Sequence, residues 1–284
     1  MGRTVHVNGA WLPEADAKIS VFDRGFLFAD GVYEVTSVLD ERLVDFAGHL
    51  RRLHRSLGAL EIPAPAGDEA LLAIYRELVA RNGLAEGMVY LQVTRGAADR
   101  DFAWPAAPVP SVVLFTQARP LVDTVPGRDG IRVITVADIR WGRRDIKTVQ
   151  LLAPSMAKMA ARKAGKDDAW MVEDGLVTEG TSNNAYIVTR DGAVVTRGLT
   201  PAILHGITRA AVLRLAVEAR LRIEERSFSV AEALDAAEAF ITAASAFVTP
   251  VVEIDGRAIG DGRPGPVTRR LREIYVAEAR RTAI

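Results

Sequence analysis

Hydrophobic positions along this chain recur at two spacings, alternate residues in some segments and roughly every three to four in others, the marks of strands and of amphipathic helices. Gly31–Asp45 (GVYEVTSVLDERLVD) is rich in Val, includes a Tyr and breaks at Asp40–Glu41, which predicts a hairpin. Phe46–Leu60 carries Leu50, Leu53 and Leu57 on one helical face. Asp68 is placed to cap a second helix, whose Leu71, Leu72, Tyr75, Leu78 and Val79 form an apolar stripe ending at Asn82–Gly83. Met88–Thr94 and Ser111–Thr116 read as strands. Arg119–Gly130, with Pro120, Pro126, Gly127 and Gly130 and few core residues, reads as a linker.

After it, Ile131–Ile139 reads as a strand and Val149–Ala164 as a helix ended by Gly165. Two hairpins turn at Asp174–Gly175 and Asp191–Gly192. Arg209–Leu221 is an amphipathic helix, Phe240–Ile259 supplies more strand, and Val267–Arg280 forms a last helix. These elements predict an α+β protein with a small first domain (1–118), a linker (119–130) and a larger, strand-rich second domain (131–284). A length of 284 residues suits two domains with a site between them.

Charge and composition narrow the chemistry. The formal net charge is zero and the signs are mixed along the chain, so there is no field to attract a polyanion, and nucleic acid is not expected as a partner. No apolar run approaches the ~20 residues that span a bilayer, and the opening MGRTVHVNGAW resembles neither a signal nor a transit segment. The expectation is a cytoplasmic protein without membrane contact. Cysteine is absent, which excludes disulfides, thiolate nucleophiles and Cys-based metal centres. Of the histidines, only His49 and His54 are near one another, and on a helix they point about 140° apart, so no metal site is expected. The glycine-rich dinucleotide pattern, the P-loop and the nucleophile elbow are missing as well.

Lysine is scarce beside arginine. Lys158, Lys163 and Lys166 lie on or just after a helix and read as surface residues. Lys147 stands between a strand and a helix, close in sequence to Arg140, Arg143 and Arg144. An amine must lose its proton to attack a carbonyl, and nearby cations or burial bring its pKa down from ~10.4, as a Schiff-base lysine requires. An ordinary ion pair with Asp145 is the other reading. In Leu204-His205-Gly206-Ile207-Thr208-Arg209, a glycine permits close backbone approach and Thr208 adds a hydroxyl near a helix N-terminus, where the amides favour a phosphate. The plainer reading, that Thr208 simply caps its helix, stands first on sequence alone. The polar break Thr178-Glu179-Gly180-Thr181-Ser182-Asn183-Asn184 offers Glu179 either as a solvated turn carboxylate or as a buried partner for a cationic heterocycle.

Together these segments resemble the fold type IV pyridoxal-phosphate enzymes, and among them the D-amino-acid aminotransferases. The resemblance runs from Asp23-Arg24-Gly25 to Val251-Val252-Glu253-Ile254-Asp255-Gly256. Between them it takes in Asp30-Gly31-Val32-Tyr33-Glu34, His49 to Leu53, Val93-Thr94-Arg95-Gly96, Asp145-Ile146-Lys147-Thr148, Thr178–Asn183 and Gly206-Ile207-Thr208-Arg209. It implies a small N-terminal α/β domain, a larger C-terminal pseudobarrel domain and a homodimer with its active site near the subunit boundary. It also implies pyridoxal 5'-phosphate as cofactor, with Lys147 as the residue that binds it covalently and moves the Cα proton. Glu179 then matches the partner of the pyridine nitrogen, Arg52 the phosphate arginine supported by Ile207 and Thr208, and Leu204 the side chain on the ring face. Ser182, Gly206, Ala243 and Ala244 complete the cofactor set. Tyr33 and Arg100 match residues that recognise the substrate carboxylate, while Glu34 has no assigned role.

Two departures stand out. The D-amino-acid enzymes carry a histidine two residues after the arginine at Arg100, and here that place holds Phe102. In Thr242-Ala243-Ala244-Ser245 the family often has hydroxyls near the phosphate, and Ala243 and Ala244 can offer only amides. The implied reaction is ping-pong amino transfer between a D-amino acid, of the D-alanine or D-glutamate type, and a 2-oxoacid. The rival readings are a branched-chain L-amino-acid or (R)-amine transaminase, a 4-amino-4-deoxychorismate lyase, and a non-catalytic binding protein.

Overall fold

The structure, a computed structural model, describes residues 2–284. The chain folds as two units, one made of the chain up to Pro120 with Ile146–Gln150 and Ala279–Ile284, the other of Leu121–Asp145 and Leu151–Glu278.

The first unit contains β1 (Thr4–Val7), β2 (Ala10–Pro13), α1 (Arg24–Phe28), β3 (Gly31–Leu39), β4 (Arg42–Leu43), α2 (Phe46–Ala59), α3 (Asp68–Arg81), β5 (Glu86–Thr94) and β6 (Ser111–Ala118). Its strands form one antiparallel sheet in the order β2-β1-β6-β5-β3-β4. The turn between β3 and β4 is the expected one: Asp40 (φ 51°) and Glu41 (φ 64°) are both left-handed, which matches the right-handed twist of a two-residue hairpin. Leu53 and Leu57 of α2 and Leu71, Tyr75 and Leu78 of α3 share one core with Val32, Val89, Leu91 and Leu114 of the sheet. The α3 cap differs from expectation. Gly67 is the N-cap, and Asp68 is the first helical residue, its carboxylate turned to His54 at 2.6 Å. Paired main-chain bonds between Leu43 and Ile284 tie the last residues of the chain into this unit.

The second unit holds α4 (Val125–Asp129), β7 (Ile131–Ala137), α5 (Leu152–Lys163), β8 (Asp168–Glu173), β9 (Leu176–Gly180), β10 (Asn184–Val188), β11 (Val194–Thr196), α6 (Ile207–Glu218), β12 (Ile223–Glu225), α7 (Val230–Asp235), β13 (Glu238–Ala243), β14 (Phe247–Ile254), β15 (Arg257–Ala258) and most of α8 (Pro266–Thr282). The sheet order is β12-β11-β10-β13-β14-β7-β8-β9, with β15 beside β14. The sheet curls until β9 meets β10, where the Gly180 N–H donates to the Asn183 carbonyl at 2.8 Å. Trp170, Val177, Ile187, Val195 and Phe228 fill its interior.

The 119–130 segment departs from the expected linker. Leu121 is buried, Thr124 caps α4 through the Gly127 N–H, and α4 packs on β14. The helix predicted from Val149 begins only at Leu152, because Thr148 and Val149 are engaged in main-chain pairing with β3.

Candidate active site

In the first unit, Ile146–Gln150 lies antiparallel along the start of β3. The Tyr33 N–H donates to the Lys147 carbonyl (3.0 Å), the Val149 N–H donates to the Gly31 carbonyl (3.1 Å), and Val32 faces Thr148. This edge of β3 is open because β4 pairs only at its far end, Val38 and Leu39. Sheet pairing thus fixes the backbone from which Lys147 projects. Its ammonium stands 4.1 Å from the centroid of the Tyr33 ring, and among the described residues it has no carboxylate within ion-pair distance. The alternative pairing with Asp145 does not occur, since Asp145 takes Arg143 at 2.9 Å. A cation held only by a π face keeps its nitrogen available for a new partner. Tyr33 in turn stacks on Tyr90, and Tyr90 on Phe115, so the ring under the amine is itself buttressed.

Successive strand residues face opposite sides of a sheet, so Glu34 points away from Tyr33 and toward α2. There it accepts from Arg52 Nε (2.8 Å) and Nη2 (2.7 Å), and His49 Nδ1 lies 2.8 Å from the same carboxylate. Glu34 is almost wholly buried, which opposes ionisation, yet the Arg52 charge and the hydrogen bonds from Arg52 and His49 outweigh burial and hold its pKa at about 2. Glu34 therefore has a structural role that its sequence position did not disclose: it fixes the guanidinium of Arg52. Arg100 and Phe102 lie on an exposed loop, the Arg100 guanidinium carbon 5.6 Å from the Phe28 ring and 5.7 Å from that of Phe102.

The second unit builds a polar cluster around Glu179, at the end of β9. Glu179 is buried, not a solvated turn residue. It accepts from Arg140 Nη1 (2.5 Å), Asn184 Nδ2 (3.0 Å) and the Leu204 N–H (3.1 Å). Burial raises its pKa, and the Arg140 guanidinium works against that rise. Arg140 also clasps Asp138 through Nε (2.9 Å) and Nη2 (2.7 Å), while Arg144 pairs with Glu173 at 2.8 Å. The three arginines close in sequence to Lys147 thus each have a carboxylate partner.

Asn184 also donates to the Leu204 carbonyl at 3.0 Å, so Glu179, Asn184 and Leu204 form one closed set. Next to it Gly206 is the N-cap of α6, with no side chain capping the helix. Thr208 is buried inside the first turn and is not the cap. A Cβ built on Gly206 would stand 2.1 Å from Asn184 Oδ1, so only glycine lets the helix start this close. Asn184 pairs with Thr242 across β10 and β13, which puts Ala243, Ala244 and the turn into β14 at the same sheet end. Ser182 lies close by in sequence but is exposed. Its neighbours are anchored: Thr181 (2.6 Å), Asn183 (2.7 Å) and Lys158 (3.2 Å) all bind the buried Asp168. Lys158, its side chain 40% exposed, and Lys166, 20% exposed and paired with Glu253, thus meet solvent from within ion pairs.

The family model for amino-transferase class IV matches residues 31–254. The chain belongs to the class IV aminotransferases. This aminotransferase is 38% identical over 272 residues to a D-alanine aminotransferase of Staphylococcus haemolyticus, with 95% of each chain covered. It is 39% identical over 264 residues to one of Bacillus licheniformis, with 93% of each covered. A solved branched-chain amino acid aminotransferase of T.th., complexed with N-(5'-phosphopyridoxyl)-L-glutamate, superposes with a TM-score of 0.89 at 27% identity, over 98% of this chain and 94% of that one. The Escherichia coli branched-chain enzyme, at 23% identity, 98% and 95% coverage and a TM-score of 0.91, shares the fold.

The aminotransferase is pyridoxal-phosphate-dependent, and its residues fit that cofactor. The Glu179 carboxylate has the charge to hold a protonated ring nitrogen. The uncapped start of α6, kept bare by Gly206, has the amides to accept a phosphate, and Lys147 has an amine without an acidic partner. Among the described residues no cluster of potential metal ligands occurs, and no helix is long and apolar enough to cross a membrane.

Proposed function

We propose that this aminotransferase moves an amino group between a D-amino acid of the D-alanine or D-glutamate type and a 2-oxoacid, as a cytoplasmic homodimer. The observation that carries the substrate class is the near full-length likeness to D-alanine aminotransferases, at 38–39% identity. The branched-chain structures reach 23–27%, which makes L-branched-chain transfer the weaker reading.

Bound pyridoxal phosphate supplies an electron-withdrawing ring that takes up the charge left when Cα loses its proton. In this reading Lys147 would hold the cofactor covalently, and its amine would move the proton at substrate Cα. Glu179, whose charged form Arg140 favours against burial, would pair with the ring nitrogen. Arg52, the amides of Ile207 and Thr208 and those of Ala243 and Ala244 hold the phosphate. Gly206 permits that approach, Ser182 adds a hydroxyl, and Leu204 packs on the ring. Tyr33 and Arg100 orient the carboxylate so that the Cα–H bond faces the lysine, with Phe102 beside them.

The test is a half-reaction panel of D-alanine, D-glutamate, L-leucine, L-valine and (R)-1-phenylethylamine, followed by loss of the holoenzyme's visible absorbance. D-amino acids should bleach it fastest. Reaction with L-branched donors alone would overturn the substrate class, and pyruvate release from aminodeoxychorismate without an acceptor would indicate a lyase. Borohydride reduction and peptide mapping should place the cofactor on Lys147.

A further inference from the structure

Two segments shared with the fold type IV enzymes, Asp23-Arg24-Gly25 and Val93-Thr94-Arg95-Gly96, have no part in the chemistry above. They converge on Asp30. Arg24 and Arg95, both buried, donate through Nε to the same carboxylate oxygen, each at 2.8 Å. From that shared anchor Arg24 reaches the backbone of the loop after Gly96, while Arg95 reaches the end of α2 and the ring of Trp104 in that loop.

Arg24 Nη1 donates to the carbonyls of Asp101 (2.6 Å) and Ala103 (3.3 Å), the residues on either side of Phe102, while its guanidinium lies 4.5 Å from the centre of the Phe28 ring. Arg95 donates to the Leu60 and Glu61 carbonyls (2.7 and 3.0 Å) and lies 3.9 Å from the centre of the Trp104 ring. The loop is closed at its base by the bridge between Asp23 and Ala97 and by Gly96 (φ 92°), where a Cβ would stand 1.8 Å from the Val109 carbonyl oxygen. Arg100, Phe102 and Trp104 are exposed, so the loop has little apolar burial of its own to hold its shape. Its backbone is held instead by one buried cation, Arg24.

We infer that Arg24 is a positioning residue for substrate selection: by gripping the carbonyls of Asp101 and Ala103 it fixes where Arg100 and Phe102 stand, and so sets how well the substrate carboxylate is held. This rests on the reading that Arg100 meets that carboxylate. Arg95, tied to the end of α2, lies against the ring of Trp104 next along the loop, and Asp30 couples the two arginines.

The test compares holoenzymes carrying Arg24→Met, Arg24→Lys and Arg100→Met. Arg24→Met should raise KM for D-alanine about tenfold through the loosened carboxylate contact, with kcat and the Kd for pyridoxal phosphate retained. Amide exchange across residues 97–109 should accelerate. Arg24→Lys keeps the ion pair to Asp30 but cannot span both carbonyls, and should fall between the parent and the Met variant; if the Met variant does not fold, the Lys variant decides alone. An unchanged KM in the Arg24 variants, while Arg100→Met raises it, overturns the inference. A rise in KM accompanied by an equal loss of kcat and of cofactor affinity overturns it too, since that marks a general structural role. An unchanged KM in Arg100→Met instead overturns the underlying reading of Arg100.

Discussion

Arg140 and Glu179 form a buried ion pair, Nη1 to Oε1 at 2.5 Å, with side chains 12% and 4% exposed. Burial alone favours the neutral acid, so the pair is what makes a charged carboxylate tenable at this position. Asp138, clasped by the other face of the same guanidinium, keeps Arg140 from swinging away, and Thr178 secures Asp138 at 2.7 Å. The acid that is to hold a ring proton is thus maintained by a chain of buried polar groups rather than by solvent.

Replacing that carboxylate by an amide keeps the shape and removes the charge. Glu179→Gln should lower kcat about 100-fold or more, the scale of losing one preorganised electrostatic contact, with the fold intact by circular dichroism. Retention of full kcat would mean that another group protonates the ring.

Arg140→Met removes the charge that opposes burial. Glu179 then takes up its proton at higher pH than in the parent enzyme, and the acid side of the kcat profile should move upward by about one to three pH units. A profile superimposable on the parent's would show that Arg140 does not govern the acid.

Glu34 is ionised because Arg52 and His49 outweigh its burial, and its pKa stands at about 2 against 4.5 for a free side chain. A depressed carboxyl pKa contributes stability above pH 4.5 that is lost as pH falls toward 2, and a difference of this size corresponds to about 3 kcal/mol. Glu34→Gln should therefore lower the denaturation midpoint at pH 7 and flatten the acid dependence of stability between those limits. Equal acid slopes for the two proteins in urea titrations would sink the assignment.

What the sequence disclosed and what it hid follow the range of the interactions. The Asp174–Gly175 and Asp191–Gly192 hairpins were legible because turn chemistry is local. The same signal at Asn8–Gly9, both left-handed, marks the β1–β2 hairpin that the hydrophobic pattern passed over. Glu34 could not be assigned because Arg52 and His49 approach it from a helix eighteen and fifteen residues away. Arg140 stands near Lys147 in sequence, whereas it is bound by Asp138 two residues before it and by Glu179 thirty-nine residues on, and the second partner has no local signal. Asn184 carries no local signal, because its task, joining Glu179 to Leu204, exists only once the sheet has curled.

Gly206 tests that last arrangement. A methyl group there would stand 2.1 Å from Asn184 Oδ1, and the asparagine amide also holds Glu179 and Leu204, so it cannot move without loss. Gly206→Ala should cost about 1–3 kcal/mol of stability by overpacking and weaken pyridoxal phosphate binding, measurable by fluorescence titration. Cofactor affinity equal to the parent's would show that the α6 start does not bear on the phosphate.

Phe102 is 80% exposed and lies edge-on to Phe28, with the Arg100 guanidinium near both rings. An aromatic ring there can steer Arg100 through its face but cannot donate to a carboxylate. Phe102→His supplies a donor where the D-amino-acid enzymes have one, and since a solvent-exposed position imposes little packing penalty, the fold should accept it. A charge-assisted hydrogen bond gained at about 1.5 kcal/mol would lower KM for D-alanine and D-glutamate about tenfold. The gain should be greatest below the histidine's ordinary pKa near 6.5, where the imidazole is charged, and should fade as pH rises through it. A KM that does not move, or moves equally at all pH values, would place the carboxylate elsewhere than beside residue 102.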